Sequence, residues 1–154
     1  MTYGWAILIV IIVAAALYAL GVFNLGTVVG PTATGFGAMG APEDWTLESN
    51  GDFKVTVANN KLSSQVTIMT ITGTLKGGNT ITYNTSNCTG GGIGTYLTLG
   101  PGASTALETA CGAAYNLTFG AISSGSSYSI DISMLYNTGG YDKTDSGTVT
   151  GVVS

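Results

Sequence analysis

The chain divides into two parts by its pattern of apolar and polar positions. Met1 to Pro42 contains no charged side chain, and Tyr3 to Phe23 is apolar at nearly every position, with the sequence YGWAILIVIIVAAALYALGVF. These 21 residues contain no proline and would form a helix of about 32 Å, the length that crosses the apolar core of a bilayer. We therefore predict a long hydrophobic helix in residues 1–25, buried on all sides by lipid or by a bundle of similar helices.

Two features of the apolar run bear on how it is buried. Ala15 and Ala19 lie one turn apart, a spacing of small residues that lets helices approach closely, although alanine is also common in membrane helices that do not pair. A secretory signal would carry a basic flank and a shorter apolar core, and the first basic residue here is Lys54. The residues predicted to pack in a filament core or membrane span are Tyr3, Trp5, Ile7, Leu8, Ile11, Ile12, Ala15, Tyr18, Ala19, Val22 and Phe23.

Residues 26–42 form a predicted connector that is rich in glycine and proline, a composition that breaks helices and favours turns and extended chain. Val28, Val29, Phe36 and Met39 make this strip more apolar than a free hydrophilic linker. We expect it to lie against an apolar surface. The alternative is a flexible tether whose apolar residues are incidental.

In residues 43–154 apolar and polar residues alternate with a period of two, which is typical of strands buried on one face. The alternation is clearest in residues 53–57, 80–83 and 128–136. Between Val66 and Leu75 it slips near Met69, where a β-bulge is expected. Short strands with Thr-rich outer faces and intervening turn clusters predict an extracellular, all-β, immunoglobulin-like sandwich. The predicted fold class is therefore α+β, a long N-terminal hydrophobic α-helix followed by this sandwich domain.

Composition limits the functions that the chain can have. Charged residues make up 8% of the 154 residues, and eight acids against four lysines, with no Arg or His, give a net charge of −4. A nucleic-acid interface needs a clustered basic surface, and these lysines are scattered, so we predict no nucleic-acid partner. With no His, no Arg and no Ser or Cys beside an evident base, we predict no enzyme, no catalytic residues and no cofactor.

Asp142 and Asp145 are the acidic pair that we considered as a metal site. They flank Lys143 and Thr144 in a Gly-rich stretch that is predicted to be a loop. The spacing lacks the alternating oxygen ligands of a calcium-binding loop, so we expect a solvated turn and no metal.

Cys88 and Cys111 are the only cysteines, and in an exported domain such a pair most simply forms one disulfide. Closing this loop would contribute about 3 kcal/mol. Two free thiols or half of a metal site are the alternatives, but no His or further Cys completes a zinc shell.

Three N-x-S/T sequons, at Asn84, Asn87 and Asn116, are candidate sites of N-glycosylation. Asn116 lies between Tyr115 and Leu117, which are expected to face the core. Alternation along a strand then points Asn116 to solvent.

The first segment, MTYGWAILIVIIVAAALYALGVF, resembles the hydrophobic segment of archaeal type IV pilin-like proteins of the class III signal peptide family. Two pairs of stretches are similar to strand pairs of those proteins: FKVTVANN (53–60) with VTIMTITG (66–73), and SYSIDISMLY (127–136) with SGTVTGVV (146–153). The Glu that is often found early in the bacterial-type pilin helix is absent here, so an ion pair made by that Glu in assembly stays an open question.

This resemblance implies a structural pilin subunit that polymerises through its N-terminal helix into an extracellular filament on the archaeal cell surface, for adhesion. It also implies a stage in the cytoplasmic membrane before assembly, processing by a prepilin peptidase, and a pilus assembly machinery. The implied partners are further copies of the same chain. The alternative is a single-pass, membrane-anchored surface protein whose sandwich binds another molecule.

Overall fold

A computed structural model describes residues 3–19, 30–87, 96–108 and 117–154 of the chain. The chain divides into two compact units, Met1–Gly30 and Pro31–Ser154. The described part of the first unit contains one helix, and the second unit, here called the β-domain, is built mainly from strands.

The helix of the first unit, α1, spans Tyr3–Ala19 and has 17 residues, which makes it about 26 Å long. The predicted fold class with a long helix is therefore wrong: the described part of the chain is mostly β, with one short α-helix. Within the described residues, no helix is long and apolar enough to cross a membrane. Apolar composition indicates how strongly a segment avoids water, but it does not set how many of its residues are helical. The prediction from the apolar run was therefore too long.

The strands of the β-domain are numbered in chain order. They are β1 (Thr32–Thr34), β2 (Asp44–Leu47), β3 (Phe53–Ala58), β4 (Val66–Leu75), β5 (Thr80–Asn84), β6 (Leu97–Leu99), β7 (Ser104–Ala106), β8 (Ser127–Thr138) and β9 (Tyr141–Val152). A short 3₁₀ turn, Thr85–Asn87, follows β5.

In the described residues, the strands form two antiparallel sheets arranged like a sandwich. The large sheet has the order β1-β9-β8-β4-β5, with β6 also paired to β4, and the small sheet has the order β2-β3-β7. The indole Nε1 of Trp45 in the small sheet donates a hydrogen bond to the carbonyl oxygen of Thr150 in the large sheet at 3.1 Å. The two sheets agree with the sandwich part of the prediction. Alternation specifies which face of a strand is buried, but not which strand lies beside it.

One apolar core fills the space between the sheets. Its largest fully buried side chains are Tyr136, Phe53, Met39, Leu47, Ile68, Ile71, Leu107, Leu117, Ile130, Ile132, Met134 and Val57. The predicted bulge is confirmed, because the register between β4 and β8 shifts between Ile68 and Thr70. Gly139 and Gly140 join β8 to β9 and both have positive φ, as a two-residue hairpin turn requires.

Part of the predicted connector belongs to the β-domain. Thr32–Thr34 pairs with Thr150 to Thr148 of β9, and the boundary between the two units follows Gly30. Met39 is fully buried and Phe36 packs against the core. For these two residues the expected contact with an apolar surface is confirmed. Residues 20–29, which include the start of the connector, lie outside the described residues.

Candidate functional site

Helix α1 presents apolar side chains in every direction. The predicted packing residues Tyr3, Trp5, Ile7, Leu8, Ile11, Ile12, Ala15, Tyr18 and Ala19 all lie on it, and none of its residues is buried. The side chain of Trp5 is 76% exposed and that of Ile11 is 62% exposed. Val22 and Phe23 lie outside the described residues. Because α1 has no polar face, its whole surface is a candidate assembly surface.

The chemistry of this surface favours an apolar partner. Helix α1 has no acidic residue in its first turn and no basic residue in its last turn. Each large apolar side chain that becomes fully buried contributes about 1.5–3 kcal/mol. Burying α1 also requires no charge to lose its water, so no ion pair is needed to compensate.

Residues 35–40 form a strap that lies over the inner face of strand β9. The ring of Phe36 occupies the space where a side chain of Gly147 would stand, since a Cβ on Gly147 would lie 2.5 Å from that ring. The carbonyl oxygen of Thr34 would also lie 2.5 Å from that Cβ. Glycine at 147 is therefore what allows the strap to pack this closely.

Asp145 fastens the strap to β9. It is 5% exposed, and its Oδ1 accepts a hydrogen bond from the backbone N–H of Gly37 at 2.7 Å. Its Oδ2 accepts a second bond from the backbone N–H of Met39 at 2.8 Å. Burial raises the pKa of the neighbouring Tyr136, and the charge of Asp145 adds to that shift. Two charge-assisted bonds compensate a carboxylate that would otherwise be costly to bury.

The structure thus corrects the interpretation of Asp142 and Asp145 as part of a solvated loop. Both residues lie on strand β9, and only Asp142 is exposed; its Oδ1 accepts a bond from Asn137 Nδ2 at 2.6 Å. A signal for the role of Asp145 was present in the sequence. Asp145 lies four positions before the buried Val149, so on a strand both side chains are on the same, inner face. A buried carboxylate at this position needs hydrogen-bond donors around it.

The outer face of the large sheet is covered by short hydroxyl side chains. Hydroxyl pairs bond across strands at Thr32–Thr150 (2.7 Å), Thr72–Thr82 (3.2 Å) and Thr74–Thr80 (3.1 Å). A shallow groove of about 260 Å³ crosses β9, β8 and β4 on this face, since none of the side chains there is long. This hydroxyl groove is lined by Thr72, Thr74, Asp131, Ser133, Ser146 and Thr148, with the backbone of the adjoining residues.

The outer face of the small sheet is charged instead. Nζ of Lys54 on β3 lies 2.6 Å from Oε1 of Glu48 and 3.6 Å from Oε2 of Glu108. The hydrogen bond that Lys54 Nζ donates to Glu48 raises the pKa of Lys54, and the negative charges of Glu108 and Glu48 add to this shift. All three side chains are exposed, so the pairs add little to stability. These ion pairs make the outer face of the small sheet charged, whereas the outer face of the large sheet is covered by hydroxyl groups.

Of the three sequons, the one at Asn84 can be placed. Asn84 ends strand β5 with an exposed side chain, and its Oδ1 accepts a bond from the backbone N–H of Ser86 at 3.0 Å. Between them, Thr85 is fully buried and donates its hydroxyl to the carbonyl oxygen of Ile68. Asn87 closes the 3₁₀ turn, but its side chain lies outside the described residues, as does Asn116.

Cys88 and Cys111 both lie outside the described residues, so the predicted disulfide stays a prediction. In the described ranges, no three His, Cys, Asp or Glu residues come together in a group that could hold a metal ion.

No protein-family model, curated protein or solved structure matches this chain.

Proposed function

We propose that this chain is a structural subunit that polymerises through helix α1 into an extracellular filament, as its resemblance to archaeal type IV pilin-like proteins implies. One observation carries the proposal. Helix α1 has no buried residue, while the β-domain encloses its own apolar residues in a core. An apolar surface of this kind is stable in water only when another surface covers it.

Further copies of α1 are the partner that best suits this surface. In a bundle of like helices every side of α1 would be covered, and no charged group would have to be paired inside. Ala15 and Ala19 would let neighbouring helices approach closely. Contacts that repeat head to tail without closing into a ring generate a filament, and such contacts need no twofold symmetry.

The β-domain would then face the surrounding water. Its hydroxyl-rich and charged outer faces both suit that position, since neither needs an apolar partner. Adhesion, the membrane stage, the prepilin peptidase and the assembly machinery rest on the resemblance alone and stay predictions.

Electron microscopy tests the proposal directly. The full chain, purified without detergent, should form rods with one repeating subunit. The matched control is residues 31–154, which should elute as a monomer in size-exclusion chromatography because α1 is missing. A full chain that stays a monodisperse monomer without detergent would sink the proposal.

A further inference from the structure

The hydroxyl groove and the sequon at Asn84 lie on the same face of the large sheet. Asn84 of β5 pairs with Thr70 of β4, one position along the outer face from Thr72, which lines the groove. The groove begins on β4, the strand next to Asn84, and crosses β8 and β9. Strands in a sheet lie about 4.8 Å apart, so the far side of the groove lies three strands, or about 14 Å, from β5. A short chain of sugars attached at Asn84 could therefore span it.

The amide of Asn84 is held in a way that leaves its nitrogen available. Its Oδ1 accepts the bond from Ser86, while among the described contacts its Nδ2 donates none. N-glycosylation uses this nitrogen and leaves Oδ1 as an acceptor, so an attached sugar would not disturb the bond to Ser86. Thr85 anchors the segment from below through its buried hydroxyl.

The groove offers the hydrogen-bonding groups that sugars need. Each Ser or Thr hydroxyl can both donate and accept, as can each hydroxyl of a sugar. Asp131 Oδ1 accepts a bond from the Thr148 hydroxyl at 2.6 Å, while Oδ2 of Asp131 accepts none among the described contacts. No aromatic ring lines the groove to stack on a sugar, so free saccharides should bind weakly. A sugar tethered at Asn84 overcomes this weakness, because its effective concentration is high.

From this geometry we infer that a glycan carried on Asn84 Nδ2 lies along the hydroxyl groove of its own β-domain. The glycan would come from a glycosyl phosphate donor. Asn84 Nδ2 forms a bond to the anomeric carbon and loses a proton, the bond from that carbon to the phosphate oxygen breaks, and the phosphate leaves. The inference rests on the proposed extracellular location but not on filament assembly.

The attachment is tested on full-length protein purified from its native cells. Mass spectrometry of the peptide that contains Asn84 should find a glycan. The variants Asn84→Gln and Ser86→Ala should both lose it, because each breaks the same sequon, whereas Asn87→Gln should keep it. An unmodified Asn84 in the native protein would overturn the inference.

The position of the glycan is tested by a double-mutant cycle, in which loss of the glycan is combined with substitutions in the groove and the melting temperature Tm is measured. Ser86→Ala removes the glycan but keeps the bond from the backbone N–H of residue 86 to Asn84 Oδ1, so it should lower the Tm of the β-domain by a few degrees. The same change should have no effect when Thr72→Val and Ser133→Ala are present. Thr56→Val, on the small sheet, is the control background and should preserve the shift. Equal shifts in all backgrounds would show a glycan that does not contact the groove. If the double variant fails to fold, Thr72→Val alone should reduce the shift.

Filaments counted by electron microscopy in the same samples separate the two proposals. Asn84→Gln should still assemble. Missing filaments in every sample, with the Tm cycle intact, would contradict the proposed function and leave the glycan contact standing.

Discussion

Helix α1 and the β-domain contain the same kinds of apolar residue, but these residues are exposed on α1 and buried in the β-domain. Ile11 on α1 is 62% exposed, whereas Ile132 on β8 is 2% exposed. Along β8, buried and more exposed residues alternate strictly, so the strand has one inner and one outer face. Along α1 every position is apolar or aromatic, so no face is preferred.

This difference shows that a hydrophobic pattern carries two kinds of information: how much surface must be buried, and which face must be buried. Strand β8 carries both, and its chain supplies the covering surface. Helix α1 carries only the first, and under the proposed function its covering surface comes from other copies of the chain. Variants in the two regions should therefore fail in different assays, assembly for α1 and folding for the β-domain.

The largest effect is expected from Ile11→Lys. In a bundle of helices the ammonium group would be buried without a partner, which costs about 3–5 kcal/mol per subunit. Filaments should disappear in electron micrographs, while thermal unfolding of the β-domain stays unchanged. Ser63→Lys, in an exposed loop, is the control and should assemble normally. Normal filaments from Ile11→Lys would refute the role of α1 as a filament core.

Among substitutions that add a single methyl group to the β-domain, Gly51→Ala should reduce stability the most. Gly51 has a φ of +93°, and an added Cβ would lie 2.2 Å from the carbonyl oxygen of Gly120. We expect a loss of about 3 kcal/mol in the free energy of unfolding, measured with denaturant. Gly77→Ala has a similar φ of +79° but open space around it, so it should cost only about 1 kcal/mol. Equal losses would mean that the contact with Gly120 is unimportant.

Asp145→Asn should cost somewhat less, about 2 kcal/mol. The amide keeps one oxygen as an acceptor, but its NH₂ group faces a backbone N–H that then has no partner. Hydrogen exchange at Gly37 and Met39 should become faster, because the strap is less firmly held. Asp142→Asn, on the exposed side of the same strand, should change neither measurement. Unchanged exchange in Asp145→Asn would contradict the fastening role of this carboxylate.

The smallest effect concerns alkaline pH. Burial raises the pKa of Tyr83, Tyr128 and Tyr136, so the folded protein keeps these phenols neutral at a pH where the unfolded chain ionises them. Stability should thus be constant below the unfolded tyrosine pKa, about 10, and should fall as pH rises further. Denaturant unfolding at several pH values measures this slope. Tyr136→Phe should flatten it, and an equally steep slope in that variant would exclude Tyr136 as a contributor.

Local features of the fold could be predicted where a few neighbouring residues decide them. The alternation in β8, the bulge after Ile68 and the turn at Gly139 and Gly140 are examples, because each depends on positions close together in the chain. The predicted helix length was wrong, and the order of the strands could not be derived from the sequence. Neither apolar composition nor alternation contains the information that sets them.

The candidate site shows the same division. The residues of α1 could be picked out by apolarity alone. The strap could not, because the bond from Gly37 to Asp145 joins residues 108 positions apart in the chain. The sequence does contain an indication of the strap, which is an acidic residue on the inner face of a strand. This indication can be recognised only when Asp145 is known to lie in β9 and not in a loop.

The sequence by itself determined that the chain has a charge-free, uniformly apolar start and a β-domain whose strands each have an inner and an outer face, because those properties follow from residue type and spacing. The tertiary structure alone decided which strands are neighbours, that the strap is fastened to Asp145, and that Asn84 shares a face with the hydroxyl groove. These depend on strand order and register, which bring distant parts of the chain together and which no local pattern specifies.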